Sequence, residues 1–281
     1  MTGARWKPWL RRIGVLLVGA LAGIMLLRAF EHSQVYHPSA PIDVPPERLG
    51  RPFEDVWFQT EDGLQLNGWY FPANKGSARA HVAILICHGN GGNISHRLDM
   101  YDAVLSTGVN VFTFDYRGYG RSQGKPGETG TYRDTHAAYD WLRQKGFAGT
   151  NIVALGESLG GGIASELAVT APLGGLILQS TFTSIPDIGS EVFPFLPVRM
   201  LGTIRYDTCG RLPQIKIPVA ILHSRGDTLV RFHHAEKNFA AANEPKLLLE
   251  LKGDHNDGVD ATRAEYVQGV EWVLKQMEKR R

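Results

Sequence analysis

Gly156-Glu157-Ser158-Leu159-Gly160 sets a serine between two glycines, directly after the apolar run Asn151–Leu155 and before the helix-compatible stretch Gly162–Val169. A strand that turns into a helix over so few residues forces the serine into a strained backbone, and flanking glycines relieve the crowding. The hydroxyl is then presented above a sheet edge as a candidate nucleophile. It is a weak one until a base takes its proton. Two later loops offer the partners. Val219–His223 runs into Ser224-Arg225-Gly226-Asp227, and Lys246–Leu251 runs into Lys252-Gly253-Asp254-His255-Asn256-Asp257. The order serine, acid, histidine, each after its own strand, assigns Ser158 as nucleophile, His255 as general base and Asp227 as the acid that orients the base. Asp254, Asp257 and Glu157 are the rival carboxylates. The first two flank His255 in a tight loop, where adjacent side chains diverge, and Glu157 neighbours the serine itself.

Acyl transfer also needs donors for a developing oxyanion. The backbone N–H of Leu159, next to the nucleophile, is one candidate. The other is the N–H of Asn90 in His88-Gly89-Asn90-Gly91-Gly92-Asn93, a glycine-rich turn after His81–Cys87. His88 is expected to pin that turn. Asn93-Ile94-Ser95 is formally a glycosylation sequon, but so close to the turn it reads as a helix start capped by Asn93 or Ser95.

Positioning these groups requires a sheet. Glu54–Thr60 and Leu64–Phe71 form a hairpin around Glu61-Asp62-Gly63. Strand-like runs follow at His81–Cys87, Val109–Phe114, Asn151–Leu155, Gly175–Leu178, Val219–His223 and Lys246–Leu251, separated by helix-length segments such as Tyr132–Lys145, Phe232–Ala242 and Asp260–Lys279. The alternation predicts an α/β domain over residues 53–281: a mainly parallel eight-stranded sheet with helices on both faces. About 40 residues between Leu178 and Val219 predict a short cap, residues 181–215, rich in apolar side chains. Phe182, Phe193, Phe195 and Leu196 are its candidate substrate contacts.

The chain of 281 residues is 43% apolar and 21% charged with net charge +2, a globular balance. Its basic residues form no long run outside the N-terminus, which argues against nucleic acid as partner. Two cysteines, Cys87 and Cys209, lack the spacing of a disulfide framework or a zinc site and are expected to be buried fillers; no metal or organic cofactor is implied. Residues 13–30 form an apolar stretch with one charge, Arg28, long enough to approach a hydrocarbon core of about 30 Å. Cleavage near Ala20-Leu21-Ala22 would leave an apolar stub, so a transmembrane signal-anchor is favoured over a cleaved signal. The Arg11-Arg12 pair lacks the surroundings of a twin-arginine signal. Arg5, Lys7, Arg11 and Arg12 put residues 1–12 in the cytoplasm and the domain on the extracytoplasmic side of the membrane, with Trp6 and Trp9 at the interface. Residues 31–52, with Pro38, Pro41, Pro45, Pro46 and Pro52, predict an extended tether.

Taken together, His88–Asn93 (HGNGGN), Asp115–Ser122 (DYRGYGRS), Gly156–Gly160 (GESLG) and Gly253–Asp257 (GDHND) resemble the membrane-anchored α/β hydrolases of the wavy-growth and bud-emergence type, filed with serine aminopeptidase-like hydrolases and related to protein depalmitoylases. The resemblance covers Phe53 to the C-terminus. It implies the α/β-hydrolase fold and the same triad and oxyanion donors, and it makes Asp115, Arg117, Gly118 and Gly120 architectural. The N-terminal cysteine cluster of a depalmitoylase is missing from this sequence. The expected activity is hydrolysis of an acyl ester or thioester, small or lipid-like, through an acyl-serine. An aminopeptidase is the alternative enzyme, and a catalytically idle anchored scaffold the alternative of another class.

Overall fold

The β-branched and aromatic runs pair as strands in the computed structural model, which describes residues 8–280. Arg5, Trp6 and Lys7 lie outside the described residues. The chain divides into two units, one ending at His37 and the other spanning Pro38–Arg281. The first holds α1 (Pro8–Val35), whose apolar side chains are largely exposed. Trp9–Val35 is long and apolar enough to cross a membrane by length and composition. The helix thus continues past the predicted boundary at residue 30.

The second unit contains β1 (Glu54–Gln59), β2 (Gln65–Phe71), β3 (Ala83–Cys87), α2 (Leu98–Leu105), β4 (Asn110–Phe114), α3 (Glu128–Gln144), β5 (Ile152–Glu157), α4 (Leu159–Thr170), β6 (Gly175–Gln179), α5 (Ile185–Val192), β7 (Val219–Ser224), α6 (His233–Ala241), β8 (Lys246–Leu251) and α7 (Arg263–Glu278). The eight strands form one sheet in the order β8-β7-β6-β5-β3-β4-β2-β1. The hairpin β1–β2 is antiparallel and β2 joins β4 antiparallel; every other pairing is parallel. Parallel strands need crossovers, and the helices supply them on both faces: α2 and α7 on one, α3, α4 and α6 on the other. The central strands are accordingly apolar on both sides; Ile84, Val111, Val153 and Ile177 are all fully buried.

The chain leaves β3 toward β4 and returns to β5 on the other side of β3, so the carboxyl ends of β3 and β5 flank a topological switch point. A crevice is expected there. The loops after β3, β5, β7 and β8, which carry every residue singled out above for chemistry, share that edge.

The proline-rich stretch is no free tether. Ile42, Val44 and Leu49 pack against the core, Pro46–Leu49 forms a 3₁₀ turn, and the Asp43 N–H donates to Ser95 Oγ at 3.1 Å. Apolar residues set between the prolines bury themselves, and residues 38–52 become a fixed strap on the domain. Cys87 is buried in β3, where desolvation pushes its thiol up to about 12, but Cys209 is only half-buried.

Candidate active site

Ser158 sits between β5 and α4 with φ 52° and ψ −113°, a left-handed conformation that costs a non-glycine residue about 1–3 kcal/mol. The surroundings impose it. The Ser158 N–H donates to the Gln179 carbonyl at 2.8 Å, and Thr181 Oγ1 donates to the Ser158 carbonyl at 2.5 Å. A Cβ on Gly160 would run into the carbonyl oxygens of Cys87 and His88, and one on Gly156 into the Gly160 backbone. Both glycines are therefore required by close approach.

Ser158 Oγ lies 3.1 Å from His255 Nε2, and His255 Nδ1 lies 2.7 Å from Asp227 Oδ2. Asp227 Oδ1 accepts the N–H groups of Leu229 and Val230 at 3.0 and 2.7 Å. Burial alone would raise the Asp227 pKa; hydrogen bonds from His223 and His255 and from the Val230 N–H outweigh it and hold the carboxyl well below the ordinary range. An ionised carboxylate on Nδ1 requires that nitrogen to carry the hydrogen. Nε2 is then left with a lone pair facing the serine hydroxyl, the geometry that lets a histidine take the serine proton. The rival carboxylates are engaged elsewhere. Asp254 Oδ1 accepts the Thr228 N–H at 2.8 Å, Asp257 Oδ2 accepts the Asp254 N–H at 3.2 Å, and Glu157 pairs with Arg97 at 2.9 Å.

His88 pins the turn after β3. Its Nδ1 is 2.7 Å from the Gly89 carbonyl oxygen, and its ring packs against Tyr116 and Tyr119. Drawing the Gly89 carbonyl toward the ring turns the Asn90 N–H of the same planar peptide the opposite way. The Gly89 N–H is already taken, donating to Glu157 Oε2 at 3.1 Å. Leu159 opens α4, so its N–H belongs to the positive end of the helix, whose first N–H groups have no intrahelical acceptor. Asn93 does cap the turn that follows: its Oδ1 accepts the Ser95 N–H at 2.9 Å. Fully buried, it offers no glycan acceptor.

A cleft of about 470 Å³ opens over Ser158. Gly89–Gly92, His96, Arg97 and Asp99 form one wall and His255, Asn256, Leu229 and Val259 the other, with Met100, Glu157 and Gln179 also lining it. None of the four cap residues expected to contact substrate is among them. Phe182 is buried, Phe193 is half-buried, and Phe195 and Leu196 are 98% and 46% exposed to solvent. Apolar content marked the cap without saying which side of it faces the serine. The cleft takes its apolar surface instead from Met100, Leu229 and Val259.

Two features escaped the sequence. Arg97 and Glu157 clamp the turn after β3 to the nucleophile: Arg97 Nε and the Gly89 N–H share Glu157 Oε2, and Arg97 Nη1 donates to the Asn93 carbonyl at 3.1 Å. Burial opposes ionisation of Glu157, but the Arg97 charge and these hydrogen bonds keep its pKa below the usual value. Behind the acid stands His223, whose Nε2 is 2.6 Å from the Val230 carbonyl and 3.3 Å from Asp227 Oδ2. Its place as i−4 to Asp227 at the end of a strand was the one available signal.

The cap holds a second cluster, in which ligand atoms of Glu191, His233 and His234 lie within 4.8 Å of one another. His234 Nδ1 accepts the Thr183 N–H at 3.1 Å, so the neutral ring carries its hydrogen on Nε2 and has no lone pair there for a metal. Desolvation pushes the His234 pKa down to about 4 and keeps the ring neutral. The cluster does not fit a metal ion.

Strand order, elbow and loop placement define an α/β hydrolase. Comparison with known proteins agrees. Residues 78–208 match the family model of serine aminopeptidase, S33. Uncharacterized protein Rv2307c of Mycobacterium tuberculosis is 36% identical over 250 residues, 87% of each chain. Alpha/beta hydrolase domain-containing protein WAV2 of Arabidopsis thaliana is 34% identical over 247 residues, 79% of each chain. Lysophosphatidylserine lipase ABHD12 of Danio rerio is 31% identical over 229 residues, 69% of this chain and 60% of that one. The Pyrococcus furiosus esterase Pf2001 superposes with a TM-score of 0.71 at 22% identity, covering 87% of this chain and 98% of the esterase, and so shares the fold. The chain belongs to the serine aminopeptidase-like family of α/β hydrolases.

Proposed function

We propose that the protein hydrolyses acyl esters or thioesters through an acyl-serine intermediate, with Ser158 as nucleophile, His255 as general base and Asp227 as its orienting acid. The observation that carries this reading is the unbroken relay from Ser158 Oγ to His255 Nε2 at 3.1 Å and from His255 Nδ1 to Asp227 at 2.7 Å. His255 takes the hydroxyl proton as Ser158 Oγ attacks the substrate carbonyl. The resulting oxyanion is held by the N–H groups of Leu159 and Asn90, at the positive end of α4. His255 then returns the proton to the departing alcohol or thiol. A water molecule, deprotonated by the same nitrogen, releases the acid and restores Ser158.

One observation favours an ester over a peptide amino terminus: Glu157, the carboxylate beside the nucleophile, is neutralised by Arg97 and so is not available to hold a substrate ammonium group, which leaves the exposed Asp99 at the cleft wall as the acid an aminopeptidase would have to use. α1 is taken as a membrane anchor, supported by its length and composition, and the Arg11-Arg12 pair supports a cytoplasmic N-terminus with the domain across the membrane.

The test is turnover of p-nitrophenyl esters from acetyl to decanoyl beside leucine p-nitroanilide. The proposal expects ester hydrolysis that varies with acyl length and is abolished by Ser158→Ala. Preferential cleavage of the anilide would install the aminopeptidase reading, and no turnover of either by the folded chain would favour the idle scaffold.

A further inference from the structure

Exposed apolar side chains are unevenly distributed over the catalytic unit. Among its described residues the large exposed hydrophobics are Trp57, Val169, Leu229 and five that crowd into ten positions of the cap: Val192, Phe195, Leu196, Met200 and Leu201. Phe195 is 98% and Met200 85% exposed. So dense a cluster is unfavourable in water and marks a surface that another apolar phase covers. α5 and the cap follow β6, placing the cluster at the same carboxyl edge of the sheet as the cleft. Leu229, half-exposed on the loop after β7, also lines the cleft itself.

The chain also enters the catalytic unit at this edge. The Ser39 N–H donates to the Gly92 carbonyl at 3.0 Å, Asn93 Nδ2 donates to the Ser39 carbonyl at 3.0 Å, and Asp43 Oδ2 bonds His96 Nε2 at 2.7 Å. Gly92 and His96 are both cleft residues. Between Val35, the end of α1, and Ser39 the extended chain reaches at most about 14 Å. If α1 lies in a bilayer, that reach keeps the cleft rim close to the lipid surface.

We propose that the cap segment Val192–Leu201 is an interfacial docking element that inserts Phe195 and Met200 into a lipid bilayer and turns the cleft toward substrates held in the membrane. The occupant is lipid, because the chain carries its own bilayer-length apolar helix and is fastened to the cleft rim a few residues later. Arg199, two-thirds exposed within the segment, pairs with Asp187 at 3.0 Å through one Nη, and its remaining guanidinium N–H groups are placed to meet headgroup phosphates. Leu229, half-exposed and lining the cleft, gives the cleft itself an exposed apolar side chain toward which an acyl ester can move from the bilayer. The proposal rests on the serine-hydrolase and anchor readings and adds where the substrate comes from.

The test uses the full chain in phosphatidylcholine–phosphatidylglycerol vesicles, in a Cys209→Ser background. An environment-sensitive fluorophore is attached at Phe195→Cys or, on the opposite edge of the sheet, at Lys75→Cys. Docking predicts blue-shifted emission and quenching by brominated lipid at position 195 and aqueous emission at 75. In parallel, Val192→Asp with Met200→Asp is expected to lower turnover of a vesicle-borne long-chain ester about tenfold, the scale of losing one or two apolar side chains from an interface, while turnover of soluble p-nitrophenyl acetate stays within about twofold. Aqueous emission at 195 in vesicle-bound, fluorophosphonate-reactive protein would overturn the proposal. So would a blue shift that depends on protein concentration and not on lipid, which would assign the patch to a second copy of the chain. Loss of vesicle binding altogether would fault the anchor reading, and loss of fluorophosphonate labelling the hydrolase reading.

Discussion

Of the carboxylate–histidine pairs among the described residues, the one at the cleft and the one in the cap make the same kind of contact and differ in whether a lone pair is left over to accept a proton. In both, a histidine nitrogen lies near a carboxylate oxygen: His255 with Asp227 at 2.7 Å, His233 and His234 with Glu191 at 2.9 and 3.2 Å. They differ in what holds the other nitrogen. Asp227 holds the hydrogen on Nδ1 of His255, and the free lone pair on Nε2 meets a hydroxyl on a strained elbow. The Thr183 N–H claims the lone pair of His234 Nδ1, and the hydrogen is left facing Glu191. Proximity of acid and histidine is thus not enough; the tautomer, and the group on the far side of the ring, decide between chemistry and structure.

The sharpest way to break the comparison is to remove the hydroxyl. Ser158→Ala is expected to lower kcat by about 10⁴-fold or more, read from ester turnover. Asp227→Asn keeps the shape but releases the tautomer, and a loss of about 10³–10⁴ in kcat is expected, of the size seen when a triad aspartate is so replaced. Glu157→Gln loosens the clamp on the turn after β3 without touching substrate chemistry. A ten- to hundredfold drop in kcat, about what a misplaced donor costs, with KM changed by less than about twofold, would mark it as a positioning residue. At the small end, His234→Ala leaves the buried Thr183 N–H unpaired; unfolding should be easier by about 1–3 kcal/mol by denaturant titration, with kcat unchanged within about twofold. Addition or chelation of zinc should alter neither rate nor stability.

The clamp also has a pH signature. The folded-state pKa of Glu157 lies below its unfolded value of about 4.3, so the pair stabilises the fold above that value and loses its contribution as pH falls through the folded value. The Tm gap between wild type and Glu157→Gln should be widest near pH 7 and close below about pH 4.

Much of this was legible because the signals are local. G-x-S-x-G between an apolar run and a helix start identifies a strained turn within nine residues, and the loops bearing Asp227 and His255 follow unmistakable strands. The structure brings those three side chains within hydrogen-bonding distance. The clamp was not legible, since Arg97 and Glu157 meet across 60 residues and no periodicity couples them. The cap failed for another reason: Phe182, Phe193, Phe195 and Leu196 are apolar as expected, but whether an apolar side chain faces core, cleft or solvent depends on packing that composition does not encode. The strap was misread because prolines suggest extension, which is correct, and separation, which is not; Ile42, Val44 and Leu49 fasten it down.

The central claim is that Ser158, activated by His255, is the nucleophile. The most direct test is fluorophosphonate labelling of the full chain in detergent, followed by peptide mass spectrometry, with His255→Ala and Ser158→Ala alongside. A single adduct on Ser158 is expected, absent from Ser158→Ala and slowed by at least about a hundredfold in His255→Ala. An adduct on another residue, or none on a folded wild-type chain, would contradict it.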